Sequence, residues 1–149
     1  MGGRPLRIVH AAGARDFDSL TAPGEHYDLR RYIDGFGEAL LAADLVVARS
    51  GGSIFEVAAA GRAAILIPYP HAAADHQSAN ARWMERAGAA VVVPDGELTA
   101  ERLAAEVGAL LGDPERLAAM AAASARLARP DAAQAIADEL LAAARGDAG

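Results

Sequence analysis

The chain has 149 residues, 53% of them hydrophobic, a formal charge of −6 and no cysteine. That length fits one domain with a real core, and the acidic balance argues against a general nucleic-acid binder, which would show a basic face. Without cysteine there is neither a disulfide framework nor a thiolate metal site, and no apolar run approaches the ~20 residues of a membrane span.

In chain order, Leu6 to Gly13 reads as a strand ending in a turn. Residues 14–26 are polar and broken by Pro23 and Gly24, so a loop with one short helix, Asp16 to Leu20, is expected. Tyr27 to Ile33 alternates as a second strand, and Asp34 is placed to cap a helix through Ala43. Leu45 to Ala48 is an apolar third strand. A turn of small residues, Ser50-Gly51-Gly52-Ser53, leads into a helix to Ala60, with Gly61 where a C-terminal glycine belongs. Ala63 to Ile67 is a fourth strand, ended by Pro68 and Pro70. Asp75 is placed to cap a helix to Ala87, closed by Gly88, and Ala89 to Val93 is a fifth strand. Helices follow over Thr99 to Leu111, from Asp113-Pro114 to Leu127, and from Pro130-Asp131 to Ala144, with a frayed tail from Arg145 onward.

Short apolar strands alternating with helices predict an α/β domain over residues 1–149: a parallel sheet flanked by helices on both faces. Ligands of such sheets sit beyond the carboxyl ends of the strands. Three stretches fall at those ends: Ile33-Asp34-Gly35-Phe36, the Ser50 to Glu56 turn, and the Tyr69 to Asn80 loop and helix start. A strand, a glycine turn and a helix start together form a phosphate cradle, because glycines admit the ligand and first-turn N–H groups face it. The same residues also make an ordinary βα turn.

Glu56 has two readings. Ser53 and Glu56 have the spacing of a capping box, in which Glu56 serves only the helix start. Alternatively its carboxylate takes the vicinal hydroxyls of a ribose. His76, Gln77 and Asn80 share the first turn of a helix, where amides read sugar hydroxyls or simply face solvent. Ile33 and Phe36 are core residues or the walls of a slot for a flat ring. His71, Asp75 and His76 fit no standard metal motif.

With these residues collected, the chain resembles the C-terminal half of the MurG family of glycosyltransferases from Leu6 to Ala144. The resemblance is carried by Arg49-Ser50-Gly51-Gly52 with Glu56 and Ala58-Ala59-Ala60-Gly61, by Ile65 to Tyr69 with His71, by Asp75-His76-Gln77 with Asn80-Ala81, and by Ala87-Gly88-Ala89-Ala90. It implies the Rossmann-like, donor-binding half of a two-domain GT-B fold. The family's reaction is inverting and metal-independent, needs no cofactor, and moves N-acetylglucosamine from UDP-N-acetylglucosamine to lipid I, giving lipid II for peptidoglycan and so serving cell-wall growth, shape and division. By the same resemblance, Ile33 and Phe36 meet the uracil, Glu56 binds the ribose, Ser50, Gly51, Gly52 and Ser53 face the diphosphate, and His76, Gln77 and Asn80 read the N-acetylglucosamine. A cytoplasmic place, peripheral on the inner face of the membrane, is implied as well.

The chain departs from the family pattern in three ways. Arg49 to Glu56 is one residue shorter than in some members, His76-Gln77 stands where some have two glutamines, and the family's N-terminal acceptor domain and first strand have no counterpart here. The expectation is therefore a fragment with no catalytic residue of its own, inactive alone. In the order 3-2-1-4-5-6 the absent strand is central, so the strands at Leu6 and Leu45 flank a gap of roughly 10 Å. Direct pairing across that gap, a strand from a second copy, or a companion chain would close it. The alternative function is a non-catalytic UDP-sugar-binding module working with a partner subunit.

Overall fold

The computed structural model describes residues 6–71 and 75–145. Contacts divide the chain into two compact units, Met1–Ala39 and Leu40–Gly149, each described by itself. The expected tail falls on 146–149, outside the described residues.

In the first unit, β1 (Ile8–Ala11) and β2 (Tyr27–Arg30) form a two-stranded parallel sheet with Ile8 opposite Tyr27 and Ala11 opposite Arg30. The Tyr27 hydroxyl and His10 Nδ1 lie 2.7 Å apart in a hydrogen bond across the pair. The connection holds α1 (Gly13–Asp16) and a 3₁₀ turn (Phe17–Ser19), three residues earlier than the helix expected at Asp16. Arg31 gathers this connection. Its guanidinium donates to Asp18 at 2.7 Å and to the Ala14 carbonyl at 3.2 Å, and lies 4.8 Å from the centre of the Phe17 ring. Arg31 so engaged bends the chain out of β2, which ends before the expected Ile33. Asp34 does not cap α2 (Phe36–Ala42). The Gly35 carbonyl takes the first helical bond, from Ala39 N–H at 3.1 Å, which leaves Asp34 one residue too early.

In the second unit, β3 (Leu45–Ala48), β4 (Ala63–Leu66) and β5 (Ala90–Val92) form a parallel sheet in that order. The helices are α3 (Ile54–Ala59), α4 (His76–Arg86), α5 (Ala100–Leu111), α6 (Pro114–Leu127) and α7 (Ala132–Arg145). All four residues of β4 are buried because it is the central strand. The core gathers Ala63, Ile65, Ile67, Val93, Leu110 and Met120 where α6 packs on β4 and α5 packs on α6. Ladder bonds run one step past the strand ends, from Ile67 N–H to Ala48 O and from Val93 N–H to Leu66 O, both 2.9 Å.

The architecture is α/β and Rossmann-like, with every ladder parallel. Among the described residues the ladders form one sheet of β1 and β2 and another of β3, β4 and β5. Edge strands of four residues carry few unpaired N–H and C=O groups. The cost falls on side chains: Val9 of β1 and Val47 of β3 are 44% and 43% exposed, although each belongs to an apolar run. No helix among the described residues is long and apolar enough to cross a membrane.

Candidate functional site

The site is built where β3 gives way to α3. After Ala48 the chain leaves the sheet, and bonds from Ile54 N–H to Gly51 O and from Phe55 N–H to Gly52 O, both 3.2 Å, wind the turn into a helix. Those two donors and Glu56 N–H, which reaches Ser53 O at 3.1 Å, are thereby used. The N–H groups of Gly51, Gly52 and Ser53 make no backbone bond among the described residues. The N–H groups left without a backbone partner among the described residues are therefore those of the glycine bend, three positions earlier than the Ile54, Phe55 and Glu56 donors of a helix start. The helix has only six residues, so its dipole adds little to the bend. Neither Gly51 nor Gly52 has a positive φ. A side chain on Gly52 would meet nothing within 4 Å, so the backbone there lies open to a ligand.

Ser50 does not face that space. It is fully buried, and its hydroxyl donates to the Gln77 carbonyl at 2.8 Å. Asn80 likewise turns inward: its Nδ2 donates to the Ser50 carbonyl at 2.9 Å. Gln77 Oε1 accepts the Tyr69 N–H at 2.9 Å, and Gln77 Nε2 lies on the Gly51 side, 3.8 Å from where a Gly51 side chain would begin. Of the four groups expected to touch ligand here, then, Ser50 and Asn80 build the turn. Gln77 has its acceptor committed and its donor aimed at the bend. His76 opens α4 and is exposed.

The capping box is not formed. Ser53 stands at the N-cap of α3 with helical angles, φ −61° and ψ −14°, and its side chain caps nothing. A capping side chain needs an extended backbone to reach the N–H groups ahead of it. Glu56 is exposed, and its carboxylate accepts no bond among the described residues. Asp75 also fails as a cap. Its backbone is left-handed, φ 54°, and its carboxylate lies 3.5 Å from Arg82 instead.

Ile33 and Phe36 belong to the first unit, where both are half-buried, Ile33 in the connection after β2 and Phe36 at the start of α2. The structure adds residues the sequence left without a role. Arg49 Nη1 donates to Asp95 Oδ1 at 2.5 Å and makes longer contacts, 3.4 Å each, to the carbonyls of Ile67 and Pro68. Its guanidinium also sits 5.6 Å from the centre of the Tyr69 ring. An arginine directly after an apolar strand was visible in the sequence; its partner, 46 residues away, was not. A cleft of about 440 Å³ lies between α6 and the start of β5 and contains none of these residues. The candidate site is an open turn and not a deep pocket.

The sequence matches the glycosyltransferase family 28 C-terminal domain over residues 2–136. It is 42% identical over 149 residues to the UDP-N-acetylglucosamine--N-acetylmuramyl-(pentapeptide) pyrophosphoryl-undecaprenol N-acetylglucosamine transferase of Rubrobacter xylanophilus, covering 99% of this chain and 44% of that protein. The protein of the same name from Geobacter sulfurreducens is 43% identical, with 94% and 40% covered. Among solved structures, that of Acinetobacter baumannii MurG superposes with a TM-score of 0.77 at 32% identity, over 90% of this chain and 40% of that one. The glycotransferase of kitacinnamycin gives a TM-score of 0.64 at 25% identity, over 89% and 34%. The chain thus spans less than half the length of the relatives it matches.

Proposed function

This chain belongs to the glycosyltransferase family 28 C-terminal domain family, and from that membership we propose that residues 1–149 are the donor-binding part of an N-acetylglucosaminyltransferase. The donor is UDP-N-acetylglucosamine. The acceptor is lipid I, held by an N-terminal domain outside this sequence, and the product is lipid II for peptidoglycan. The protein works on the cytoplasmic side, peripheral on the inner face of the membrane. A second copy or a companion chain pairs with the free edges of β1 and β3.

In this reading the diphosphate lies on the N–H groups of Gly51, Gly52 and Ser53. Preset donors of this kind stabilise the charge that grows on the diphosphate as it leaves. Glu56 takes the ribose hydroxyls, Gln77 Nε2 with His76 reads the sugar, and Ile33 and Phe36 line the uracil. Ser50 and Asn80 act one step back, by holding the bend. The acceptor hydroxyl attacks the anomeric carbon from the face opposite the UDP, so the configuration inverts.

The observation that carries this reading is the pairing of an open glycine bend with an exposed carboxylate that serves no cap, one turn further on. Calorimetric titration with UDP-N-acetylglucosamine, UDP-glucose and UDP tests it. The N-acetyl sugar should bind best. Gln77→Glu keeps the acceptor for Tyr69 N–H and removes the donor, so it should erase the preference between the two sugars. Equal affinity of the parent chain for all three ligands would refute the sugar-reading role, and absence of UDP binding would refute the site.

A further inference from the structure

Arg49 is the residue between the last position of β3 and the turn, and among the described residues none of its hydrogen bonds goes to the turn. The guanidinium reaches the carbonyls of Ile67 and Pro68 at the end of β4, and Asp95 just beyond β5. Continuing along the chain from Pro68, the Tyr69 N–H is held by Gln77 Oε1, and the Gln77 carbonyl is held by the Ser50 hydroxyl. Ser50 is the neighbour of Arg49. The circuit therefore closes: Arg49 to Pro68, Tyr69 to Gln77, Gln77 back to Ser50. All of it lies in the second unit.

Two features make Asp95 the anchor of that circuit. The contacts of Arg49 to the two carbonyls are long, 3.4 Å each, while the bond to Asp95 is 2.5 Å. The pair is also half shielded, with Arg49 47% and Asp95 35% exposed at the side chain, so it is screened less than an open surface pair. A cation with no carboxylate to hold it would be drawn toward any anion bound at the bend, and the circuit would open.

We infer that Arg49 and Asp95 form a positioning clamp for the Gly51–Ser53 bend: Asp95 holds the guanidinium on the β4 and β5 ends, so a nucleoside diphosphate is met by backbone N–H groups and not by Arg49. The inference rests on the donor-site reading above, since it names what the clamp serves. Neither residue touches the ligand; both act through the turn.

The test uses the full chain with Asp95→Asn, Asp95→Glu and, as a control on a comparable pair in α5, Glu106→Gln, which likewise removes the carboxylate charge from the 2.9 Å pair with Arg102. Amide hydrogen exchange without ligand is followed at Ile54, Phe55 and Glu56, and UDP affinity by calorimetry. Asp95→Asn should speed exchange at these amides and weaken UDP about three- to fivefold, the scale of a partly exposed ion pair. Asp95→Glu should restore most of both, and Glu106→Gln should alter neither. Unchanged exchange in Asp95→Asn, or a drop in melting temperature with no change at the bend, would overturn the clamp. Tighter UDP binding in Asp95→Asn would also overturn it, by showing that a freed Arg49 meets the anion. Faster exchange at the bend in a protein whose parent form binds no UDP would refute the donor site and, with it, the purpose assigned to the clamp.

Discussion

Asn80 and Ser50, 30 residues apart, are joined by a 2.9 Å bond from the Asn80 amide to the Ser50 carbonyl. With the Ser50 hydroxyl on the Gln77 carbonyl, this bond fastens the start of α4 to the turn after β3. Asn80→Asp puts a carboxylate against a carbonyl where a donor is needed. It should cost about 1–3 kcal/mol, the range for a buried polar group losing its partner. Urea denaturation measures it, and an unchanged midpoint would show the bond to be dispensable.

Ser53 and Glu56 have the sequence of a capping box and none of its bonds. Ser53→Ala should therefore leave stability within about 0.5 kcal/mol. Thr99→Ala and Asp113→Ala, which remove side chains that do accept Arg102 N–H at 3.1 Å and Arg116 N–H at 3.0 Å, should each cost about 1 kcal/mol. Glu56→Gln should likewise spare stability while weakening UDP binding by about 1.5–3 kcal/mol, the worth of a hydrogen bond to a charged group. Parallel melts and UDP titrations separate the two effects. A Glu56→Gln protein that melts early but binds UDP normally would return Glu56 to the helix.

Gly61 and Gly88 both close helices with positive φ, +61° and +76°. Both make the same paired bonds. Gly61 N–H reaches Ala58 O and Arg62 N–H reaches Val57 O; Gly88 N–H reaches Glu85 O and Ala89 N–H reaches Met84 O. They differ in space. A side chain at Gly88 meets nothing within 4 Å, whereas one at Gly61 comes 3.2 Å from the Ala125 side chain on α6. Gly88→Ala should cost about 1–2 kcal/mol for the backbone alone. Gly61→Ala should cost about 1 kcal/mol more, because α3 and α6 must part. Equal losses in denaturation would show that the helix contact yields freely.

Asp28 sits beside Arg30, whose guanidinium bonds its carboxylate at 2.6 Å; this bond holds the Asp28 carboxyl below its ordinary value of 3.8. A carboxylate whose folded pKa is depressed favours folding above its unfolded pKa, and that contribution disappears as pH falls through the lower folded value. Its effect should thus be complete above about pH 5 and fade toward pH 3 and below. An NMR titration should find the Asp28 midpoint below the ordinary value, and Arg30→Gln should move it back up. A midpoint unaffected by that substitution would assign the shift elsewhere.

The sequence determined whatever depends on residues within a few positions of one another. Strands and helices alternate in the expected order because apolar runs and helical spacing are local. Thr99, Asp113, Gly61 and Gly88 behave as expected because a cap needs only its own next turn. Local rules also failed where the backbone entering a helix was not the one assumed: Ser53 is already helical and Asp75 is left-handed, so neither side chain reaches its cap. Tertiary structure decided the partners of the polar side chains around the bend. Ser50 and Asn80 look like ligand contacts by type and position, yet packing α4 against the β3 turn gives each a protein partner, 27 and 30 residues away. Asp95, 46 residues from Arg49, carries no sequence signal at all, since a carboxylate's partner is set by which strand ends the sheet brings side by side. Burying a polar group costs more than leaving it wet unless it is bonded, so the fold, and not the residue type, determined which of these groups remain free to meet a ligand.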